Sequence, residues 1–180
     1  RQEIVLGIGG VRALRALGLR PTVWHINEGH ATFQILERCC EWVATGDDFA
    51  SALERVAANT VFTTHTPVAA GHDIFDAMLF DKYFAGFAPA LGIDLEALRA
   101  YGHSPQNDGS FNMTSMALRG TRFHNGVSKI HGEVASGMER YIWPDIPPDE
   151  NPITHVTNGV HASTFLAQEW SNLLDVRFAD

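Results

Sequence analysis

Four short apolar runs, each ending in a histidine or an asparagine, constrain the fold of this chain more than any other feature. In the clearest of them, residues 61–67, the run Val-Phe-Thr-Thr is followed by His-Thr-Pro. The same layout recurs at residues 22–30, 122–126 and 154–159. A buried parallel strand has this pattern when its carboxyl end carries polar groups into a ligand crevice. The runs therefore predict a single site, assembled at one edge of a parallel sheet.

The segments between these runs have helical periodicity, so strand and helix alternate along the chain. Strands are predicted at residues 22–26, 61–64, 122–125 and 153–157, and helices at residues 2–17, 31–44, 49–58, 74–86, 95–101, 112–118 and 128–141. A polar loop is predicted at 103–110 and an extended connection at 143–152. The residue types predict N-caps at Asp47 and Asp94. The alternation indicates βαβ units, and hence an α/β fold in which helices flank a parallel sheet.

The amino-acid composition and the net charge disfavour some classes of function. Hydrophobic residues make up 45% and charged residues 19% of the 180 residues, which is typical of a folded globular chain. The net charge of −8 disfavours non-specific binding to nucleic acid or to an anionic membrane. No apolar run approaches the roughly 20 residues that span a bilayer. Because the first residue is Arg1 rather than Met, we expect that the natural N-terminus can lie upstream.

The two cysteines and the early glycines suggest no special chemistry. Cys39 and Cys40 are adjacent, and adjacent cysteines seldom form an unstrained disulfide. We expect two reduced thiols on a helix, which favours a cytoplasmic protein. The run Gly7-x-Gly9-Gly10 lacks a preceding strand and the third glycine of a dinucleotide-binding loop. We expect these glycines to allow a neighbouring element to approach closely instead.

The first polar cluster is the string His-Ile-Asn-Glu-Gly-His at residues 25–30, at a strand-to-helix turn. A carboxylate, an amide and two imidazoles at that point can hydrogen-bond the hydroxyl groups of a sugar. Helix capping by Asn27 or Glu28, together with histidines satisfied inside the fold, is the structural alternative. The residues alone leave both open.

The second cluster joins residues 64–67 to the Gly-His-Asp string at residues 71–73. Pro67 fixes the backbone where the chain leaves the sheet, so the carbonyl of His65 can be left free for a ligand. His72 and Asp73 are either a polarised pair or the start of a helix.

Metal binding by these histidines is not expected. His25, His30, His65 and His72 could converge, but no H-x-x-x-H spacing supports a metal site.

Two further clusters follow later strands. In residues 124–133, the Asn-Gly pair favours a turn and Ser128 begins a helix. His131 lies one helical turn further on, and packing at a domain seam is the favoured interpretation. In the string Thr-Asn-Gly-Val-His at residues 157–161, Asn158 can donate to one hydroxyl of a hexose and accept from its neighbour. A plain turn is the alternative.

Five strings give the chain a resemblance to the α-glucan (glycogen, starch or maltodextrin) phosphorylases, most strongly to their short bacterial and archaeal branch. They are His-Ile-Asn-Glu-Gly-His-Ala-Thr-Phe, Thr-Thr-His-Thr-Pro-Val with Ala-Gly-His-Asp, Phe-Asn-Met-Thr with Met-Ala-Leu, Asn-Gly-Val-Ser-Lys-Ile-His-Gly-Glu, and Thr-Asn-Gly-Val-His. They are collinear over essentially the whole chain. One departure is Ala69, where the branch usually has proline, which should alter loop stiffness more than chemistry.

The resemblance implies the GT-B arrangement, in which two Rossmann-like domains face each other across a cleft. It implies phosphorolysis of α-1,4-glucan ends by orthophosphate, giving glucose 1-phosphate with retention of configuration. It also implies pyridoxal 5′-phosphate, whose phosphate group is the acid/base partner of the substrate phosphate. The implied partners are therefore α-glucan and orthophosphate, with no nucleic acid and no membrane.

The resemblance also implies residue roles. His65 is similar to the histidine whose main chain contacts the 6-hydroxyl of the glucosyl unit, and it is the catalytic candidate. Asn158 is similar to the asparagine that binds the same end of the sugar. Glu28 occupies the acidic position near the glucosyl subsite, with His30 beside it. All four are candidates for substrate binding.

The main departure from this family is length, because a phosphorylase is several times longer. The cofactor lysine in its Gly-Met-Lys context is absent, and Lys82 and Lys129 lie in unrelated contexts. The resemblance implies that residues 1–142 are the last part of the N-terminal Rossmann-like domain and that residues 143–180 cross toward the C-terminal domain.

We expect the chain alone neither to bind pyridoxal phosphate nor to turn over, and to require the remainder of the enzyme as a partner. A homo-oligomer is compatible with this interpretation. A non-catalytic carbohydrate-binding module, and a fragment that folds only against the missing domain, remain alternatives. Because an isolated half-sheet would expose a large apolar face, self-association or poor solubility would favour the fragment.

Overall fold

The computed structural model describes residues 1–105 and 109–178, and the predicted polar loop at 103–110 falls partly outside them. The strands are β1 (Trp24–Asn27), β2 (Thr60–Thr64), β3 (Ile74–Phe75), β4 (Phe111–Asn112), β5 (Phe123–Gly126) and β6 (Ile153–His155). The helices are α1 (Gln2–Ile4), α2 (Gly10–Ala16), α3 (Gln34–Val43), α4 (Phe49–Ala57), α5 (Ala77–Phe84), α6 (Leu95–Ala100), α7 (Met113–Arg119), α8 (Lys129–Met138), α9 (Ala162–Phe165) and α10 (Gln168–Phe178). A π-helical turn, Val5–Gly9, joins α1 to α2.

A parallel sheet of four strands, in the order β1-β2-β5-β6, forms the centre of the described fold. Its register aligns Asn27 with Thr63, Thr63 with Asn125, and Asn125 with Thr154. Because all the strands run the same way, their carboxyl ends lie along one side of the sheet, which we call the carboxyl edge. The predicted α/β fold with a parallel sheet is confirmed. Strands β3 and β4 form a separate antiparallel pair.

The hydrophobic core lies between this sheet and its helices. Ile26 of β1 and Phe62 of β2 are fully buried, as are Ile35 and Leu36 of α3. A cluster of phenylalanines attaches α5 and the β3–β4 pair to this core. Its closest pair is Phe80 and Phe111, whose stacked ring centroids lie 4.1 Å apart. Burying one such side chain contributes roughly 1.5–3 kcal/mol, so this packing stabilises the attachment of α5 and the β3–β4 pair to the core.

The opposite face of the sheet is open in the described part of the chain. Val23, just before β1, is 64% exposed, and Phe123 of β5 is 56% exposed. His25 and Asn27, which alternate with the buried residues of β1, are also exposed. The sheet therefore has one face covered by helices and one face on which apolar and polar side chains meet solvent.

Several element boundaries differ from the predicted ones for tertiary reasons. The predicted helix at 74–86 begins only at Ala77, because Ile74–Phe75 pairs with Phe111–Asn112 and Asp76 supplies the cap. The N-cap of α4 is Asp48, not Asp47, because its carboxylate accepts the Ser51 N–H at 2.7 Å. Asp47 is instead paired with Arg55.

The prediction for the early glycines is confirmed at Gly7. A Cβ atom added there would lie 2.8 Å from the backbone nitrogen of Gln34, so only glycine permits this approach to α3. Cys39 and Cys40 are free thiols on α3. Burial raises the pKa of Cys39 to about 12 and that of Cys40 to about 11, so both stay protonated at neutral pH. None of the described helices is both long and apolar enough to cross a membrane.

Candidate functional site

Glu28 marks the point where β1 ends and the chain turns into α3. Its N–H donates to the Thr63 carbonyl at 2.9 Å, which extends the pairing of β1 with β2 by one residue. Its φ angle is +60° and its ψ angle is −175°, a combination that is essentially restricted to glycine. Directly after it, a Cβ atom on Gly29 would lie 2.9 Å from the Cβ of Met113. The turn is thus shaped by the close approach of α7.

The carboxylate of Glu28 joins β1 to the end of β2. Its Oε1 atom accepts hydrogen bonds from the backbone N–H of His65 and, at 3.1 Å, from the hydroxyl of Thr66. Glu28 and His65, both identified from the sequence, are therefore in direct contact. Because the His65 N–H is used in this way, its carbonyl and its exposed imidazole are the groups it has left for a ligand.

Residues 66–73, which we call the 66–73 loop, follow His65 and fold back on themselves. A Cβ atom on Gly71 would lie 2.8 Å from Cγ2 of Thr66, so this compact shape requires glycine. At its start, the Thr66 carbonyl accepts a hydrogen bond from Nε2 of His131 at 3.0 Å. At its end, the Asp73 carbonyl accepts the N–H of Met113 at 3.0 Å.

Both ring nitrogens of His131 make hydrogen bonds, and one of these bonds holds the loop. Its Nδ1 atom accepts the N–H of Val127 at 3.2 Å, while its Nε2 atom faces the carbonyl of Thr66. Only the neutral tautomer with hydrogen on Nε2 satisfies both contacts. His131 was expected to pack at a domain seam; within this chain it is buried and ties α8 to the 66–73 loop.

The proposed pairing of His72 with Asp73 is wrong, and so is the idea that they cap a helix. Asp73 contacts His30 instead, with 2.7 Å between Oδ2 and Nδ1. Nε2 of His72 lies 3.5 Å from Oε1 of Glu139. The cap of α5 is Asp76, as described above. His30 is thereby fixed against the loop, at an exposed position beside Glu28.

A second network runs across the open face of the sheet. His25 of β1 donates from Nε2 to the Thr63 hydroxyl at 2.7 Å, and that hydroxyl donates to Oδ1 of Asn125 at 3.0 Å. The three residues lie on three neighbouring strands. His124, by contrast, is buried, and its Nε2 faces the carbonyls of Leu118 and Thr121. Burial lowers the pKa of His124, so it is a neutral core residue rather than a site residue.

Asn158 lies at the same carboxyl edge but is held only by its backbone. Its N–H donates to the Val127 carbonyl at 3.0 Å, and the N–H of Val156 donates to the Gly126 carbonyl at 2.9 Å. Its side chain is exposed. Because Val127 is also bonded to His131, one chain of contacts links Asn158 to the loop after His65.

The sequence patterns missed some residues of this arrangement. Thr63, Thr66 and His131 lie within the sequence motifs described above, but their hydrogen-bond partners could not be inferred from those motifs. Glu139 follows the last turn of α8 and had no signal at all, because it reaches the loop only through the tertiary fold.

Neither a metal nor a pyridoxal group fits the described residues. No group of three or more His, Cys, Asp and Glu residues suited to a metal occurs within the described ranges. A pyridoxal Schiff base requires an enclosed lysine amine. Lys82 is exposed, with its ammonium group 5.8 Å from the ring centroid of Tyr83, and Lys129 is exposed at the start of α8. Neither of these two lysines is therefore placed to form such a Schiff base in the described part of the chain.

Sequence comparison places these motifs in a wider context. No family model matches the chain. It is 43% identical to a maltodextrin phosphorylase from Thermococcus litoralis over 175 residues, 97% of this chain and 20% of that protein. It is 44% identical to a glycogen phosphorylase from Mycobacterium tuberculosis, covering 96% of this chain and 21% of that protein. A glycogen phosphorylase from Aquifex aeolicus is 34% identical over 97% of this chain and 25% of its own length. The chain thus spans about a fifth to a quarter of the length of these relatives.

Proposed function

Because this chain belongs to the α-glucan phosphorylase family, we propose that it is the segment of such an enzyme that holds the glucosyl unit at the end of an α-1,4-glucan. The complete enzyme would transfer that unit to orthophosphate, giving glucose 1-phosphate with retention of configuration. The observation that carries the proposal is the contact of Glu28 with His65 and Thr66 at the carboxyl edge. Ligands of open α/β sheets bind in the crevice beyond this edge.

His65 would read the 6-hydroxyl of the sugar through its main chain. The bond from its N–H to Glu28 orients the peptide, and the next carbonyl, of Thr66, is fixed by His131. The carbonyl of His65 can therefore accept a hydroxyl hydrogen without reorganisation when the sugar arrives. An acceptor that is fixed before binding orients the bound sugar for reaction, in addition to contributing to its affinity.

The other candidate residues would complete the sugar contacts. The side-chain amide of Asn158 can donate to one hydroxyl and accept from its neighbour, which suits adjacent hydroxyls of a hexose. Glu28 has its second oxygen, Oε2, for a sugar hydroxyl, since Oε1 is used by the protein. His30 would lie at the rim, because its ring is exposed and bonded to Asp73.

The domain division is also part of the proposal. Residues 1–142 would be the last part of the N-terminal Rossmann-like domain of a GT-B enzyme, and residues 143–180 the crossing to the second domain. Large apolar side chains exposed on the described part of that crossing support this division. They include Phe165, 78% exposed, and Trp170, 59% exposed.

Pyridoxal 5′-phosphate would be held by parts of the complete enzyme outside this chain, where it supplies a phosphate group for acid/base chemistry. The chain's own residues would bind and orient the sugar only. We therefore expect this chain alone to be inactive. The complete enzyme is expected in the cytoplasm, and a homo-oligomer is compatible with the proposal.

The proposal is tested on the complete polypeptide that contains this segment. We expect it to form glucose 1-phosphate from maltodextrin and orthophosphate once pyridoxal phosphate is bound, while the 180-residue chain forms none. Phosphorus NMR of the reaction mixture measures the product directly. If the complete protein holds pyridoxal phosphate but yields no glucose 1-phosphate, the proposal fails. Saturable maltodextrin binding without turnover would instead favour a carbohydrate-binding role.

A further inference from the structure

A buried group of polar side chains lies against the end of the 66–73 loop and has no role in the sugar contacts proposed above. The side chains of His72 and Glu139 are each only 3% exposed, and their nearest atoms, Nε2 and Oε1, are 3.5 Å apart. The hydroxyl of Tyr141, also mostly buried, lies 2.7 Å from that of Ser115 on α7. Burial, followed by the charge of Glu139, raises the pKa of Tyr141 to about 12.

These groups are costly to bury, which argues against an incidental contact. An unpaired polar group removed from water destabilises the fold, and an unpaired charged group destabilises it more. Nε2 of His72, Oε2 of Glu139 and Oγ of Ser104 have no hydrogen-bond partner among the described residues, so His72 and Glu139 are close neighbours without a hydrogen bond between these atoms. Burial is also the main reason that the pKa of Glu139 is raised, although the nearby His72 opposes it.

Helix α8 contacts the 66–73 loop at both of its ends. His131, in the first turn of α8, bonds the Thr66 carbonyl at the start of the loop. Glu139, directly after the last residue of α8, lies against His72 near the end of the loop. A rigid helix that contacts a loop at two separated points restricts its orientation more than either contact alone.

The same group also borders the candidate sugar site. The negative charge of Glu28 contributes to the raised pKa of Glu139, so the two carboxylates are within electrostatic reach of each other. Glu28 bonds the residues just before and at the start of the loop, His65 and Thr66. A shift of His72 would reach the peptide of His65 through a short segment, in which Gly71 packs against Thr66.

We propose that His72 and Glu139 are positioning residues, which hold the end of the 66–73 loop against α8 so that the His65 carbonyl points at the 6-hydroxyl of the sugar. The inference rests on the proposed function and deepens it. It assigns a role to two buried residues that do not touch the substrate. It also explains why the imidazole of a loop residue and a carboxylate just after α8 are buried together.

The test measures whether the enzyme still reads the 6-hydroxyl. In the complete polypeptide, kcat/KM is determined for transfer to maltotetraose from glucose 1-phosphate and from 6-deoxyglucose 1-phosphate. The ratio of the two values reports the His65 contact, because the donors differ only in that hydroxyl. The variants are Glu139→Leu, which removes the polar contact, and Glu139→Gln, which keeps an acceptor. Glu133→Leu, at an exposed position of the same helix, is the matched control.

We expect Glu139→Leu to lower this ratio about tenfold, because a displaced carbonyl no longer matches the hydroxyl. The conservative Glu139→Gln variant should retain most of the ratio, and the control should retain all of it. An unchanged ratio in Glu139→Leu, together with a lower melting temperature, would show that the residue is only structural and would overturn the inference. If Glu139→Leu does not fold, the donor ratio and the melting temperature are measured for His72→Gln instead.

The outcomes also separate this inference from the proposed function. A wild-type enzyme that makes glucose 1-phosphate but does not distinguish the two donors would overturn the role of His65, and the positioning role with it. A complete protein with no phosphorylase activity would overturn the proposed function itself. The positioning role alone is rejected if the wild-type enzyme and the Glu139→Leu variant distinguish the two donors equally well.

Discussion

The 66–73 loop and the segment of residues 156–161 leave the same edge of the sheet, but they are held in very different ways. The loop that follows His65 is contacted by three side chains: Glu28 just after β1, His131 in α8 and Glu139 just after α8. The segment that carries Asn158 is held by two backbone bonds to the β5–α8 turn, and all its residues are exposed. One side of the candidate site is thus fixed by side chains, whereas the other is held by its backbone and is open to solvent.

Under the proposed function, the sugar site would be divided between a part that is already fixed and a part that is not. Fixing the backbone of one residue costs about 1–2 kcal/mol of conformational entropy. In the 66–73 loop, folding has already met that cost through buried bonds and close packing. At Asn158 it would be met only when the remainder of the enzyme or the sugar is present. Each prediction below perturbs one of these two regions.

The largest effect is expected from Glu28→Ala. This change removes the acceptor that orients the His65 peptide and the Thr66 hydroxyl, so we expect kcat/KM of the complete enzyme to fall about 100-fold. Initial rates of glucose 1-phosphate formation measure it. Glu96→Ala, at an exposed position of α6, is the control and should change little. A loss below threefold in Glu28→Ala would mean that the loop does not depend on this carboxylate.

A matched pair of glycine substitutions compares the two regions directly. Gly71→Ala places a Cβ atom 2.8 Å from Thr66 Cγ2, and we expect it to lower the free energy of unfolding by about 1–3 kcal/mol. Gly159→Ala meets nothing within 4 Å and should change it by less than about 0.5 kcal/mol. Urea unfolding of the 180-residue chain gives both values. Equal effects would remove the contrast between loop and segment.

Asn158→Ala should separate stability from function. Because its side chain is exposed, we expect the unfolding free energy of the chain to change by less than about 0.5 kcal/mol. In the complete enzyme, the lost sugar contacts should lower kcat/KM about tenfold. Denaturant titration and initial rates measure the two quantities. A clear loss of stability in the isolated chain would show that Asn158 already packs there.

The smallest effect is expected from His30→Ala. Its contact with Asp73 is partly exposed, and such pairs typically contribute about 0.2–1 kcal/mol. We expect a change in unfolding free energy of that size. Urea titration of the 180-residue chain measures it. A larger loss would indicate that His30 packs rather than pairs.

The strand ends were predictable because they depend on local pattern. Short apolar runs followed by polar residues indicated the sheet, its direction and the gathering of Glu28, His65 and Asn158 along one edge. The pairings among polar residues were not predictable, because they depend on elements far apart in the chain. His72 and Asp73 are neighbours in sequence, yet each contacts a different distant residue.

The same limit explains the errors in element boundaries. Residues 74–75 have helical periodicity, but pairing with residues 111–112 made them a strand. Asp47 and Asp48 are equally good capping residues by type, and only the ion pair of Asp47 with Arg55 leaves Asp48 as the cap. Local chemistry narrowed these choices, and contacts between distant residues decided them.

The outer strands of the four-stranded sheet, β1 and β6, contain only four and three residues. A foreign strand could form very few ladder hydrogen bonds with borders this short, so they are poor templates for fibril growth. If concentrated samples of the chain associate, we expect the contacts to be made by exposed apolar side chains such as Phe123 and Trp170 rather than by the edge strands. Mild detergent should then disperse the aggregates, which it would not do for cross-β material.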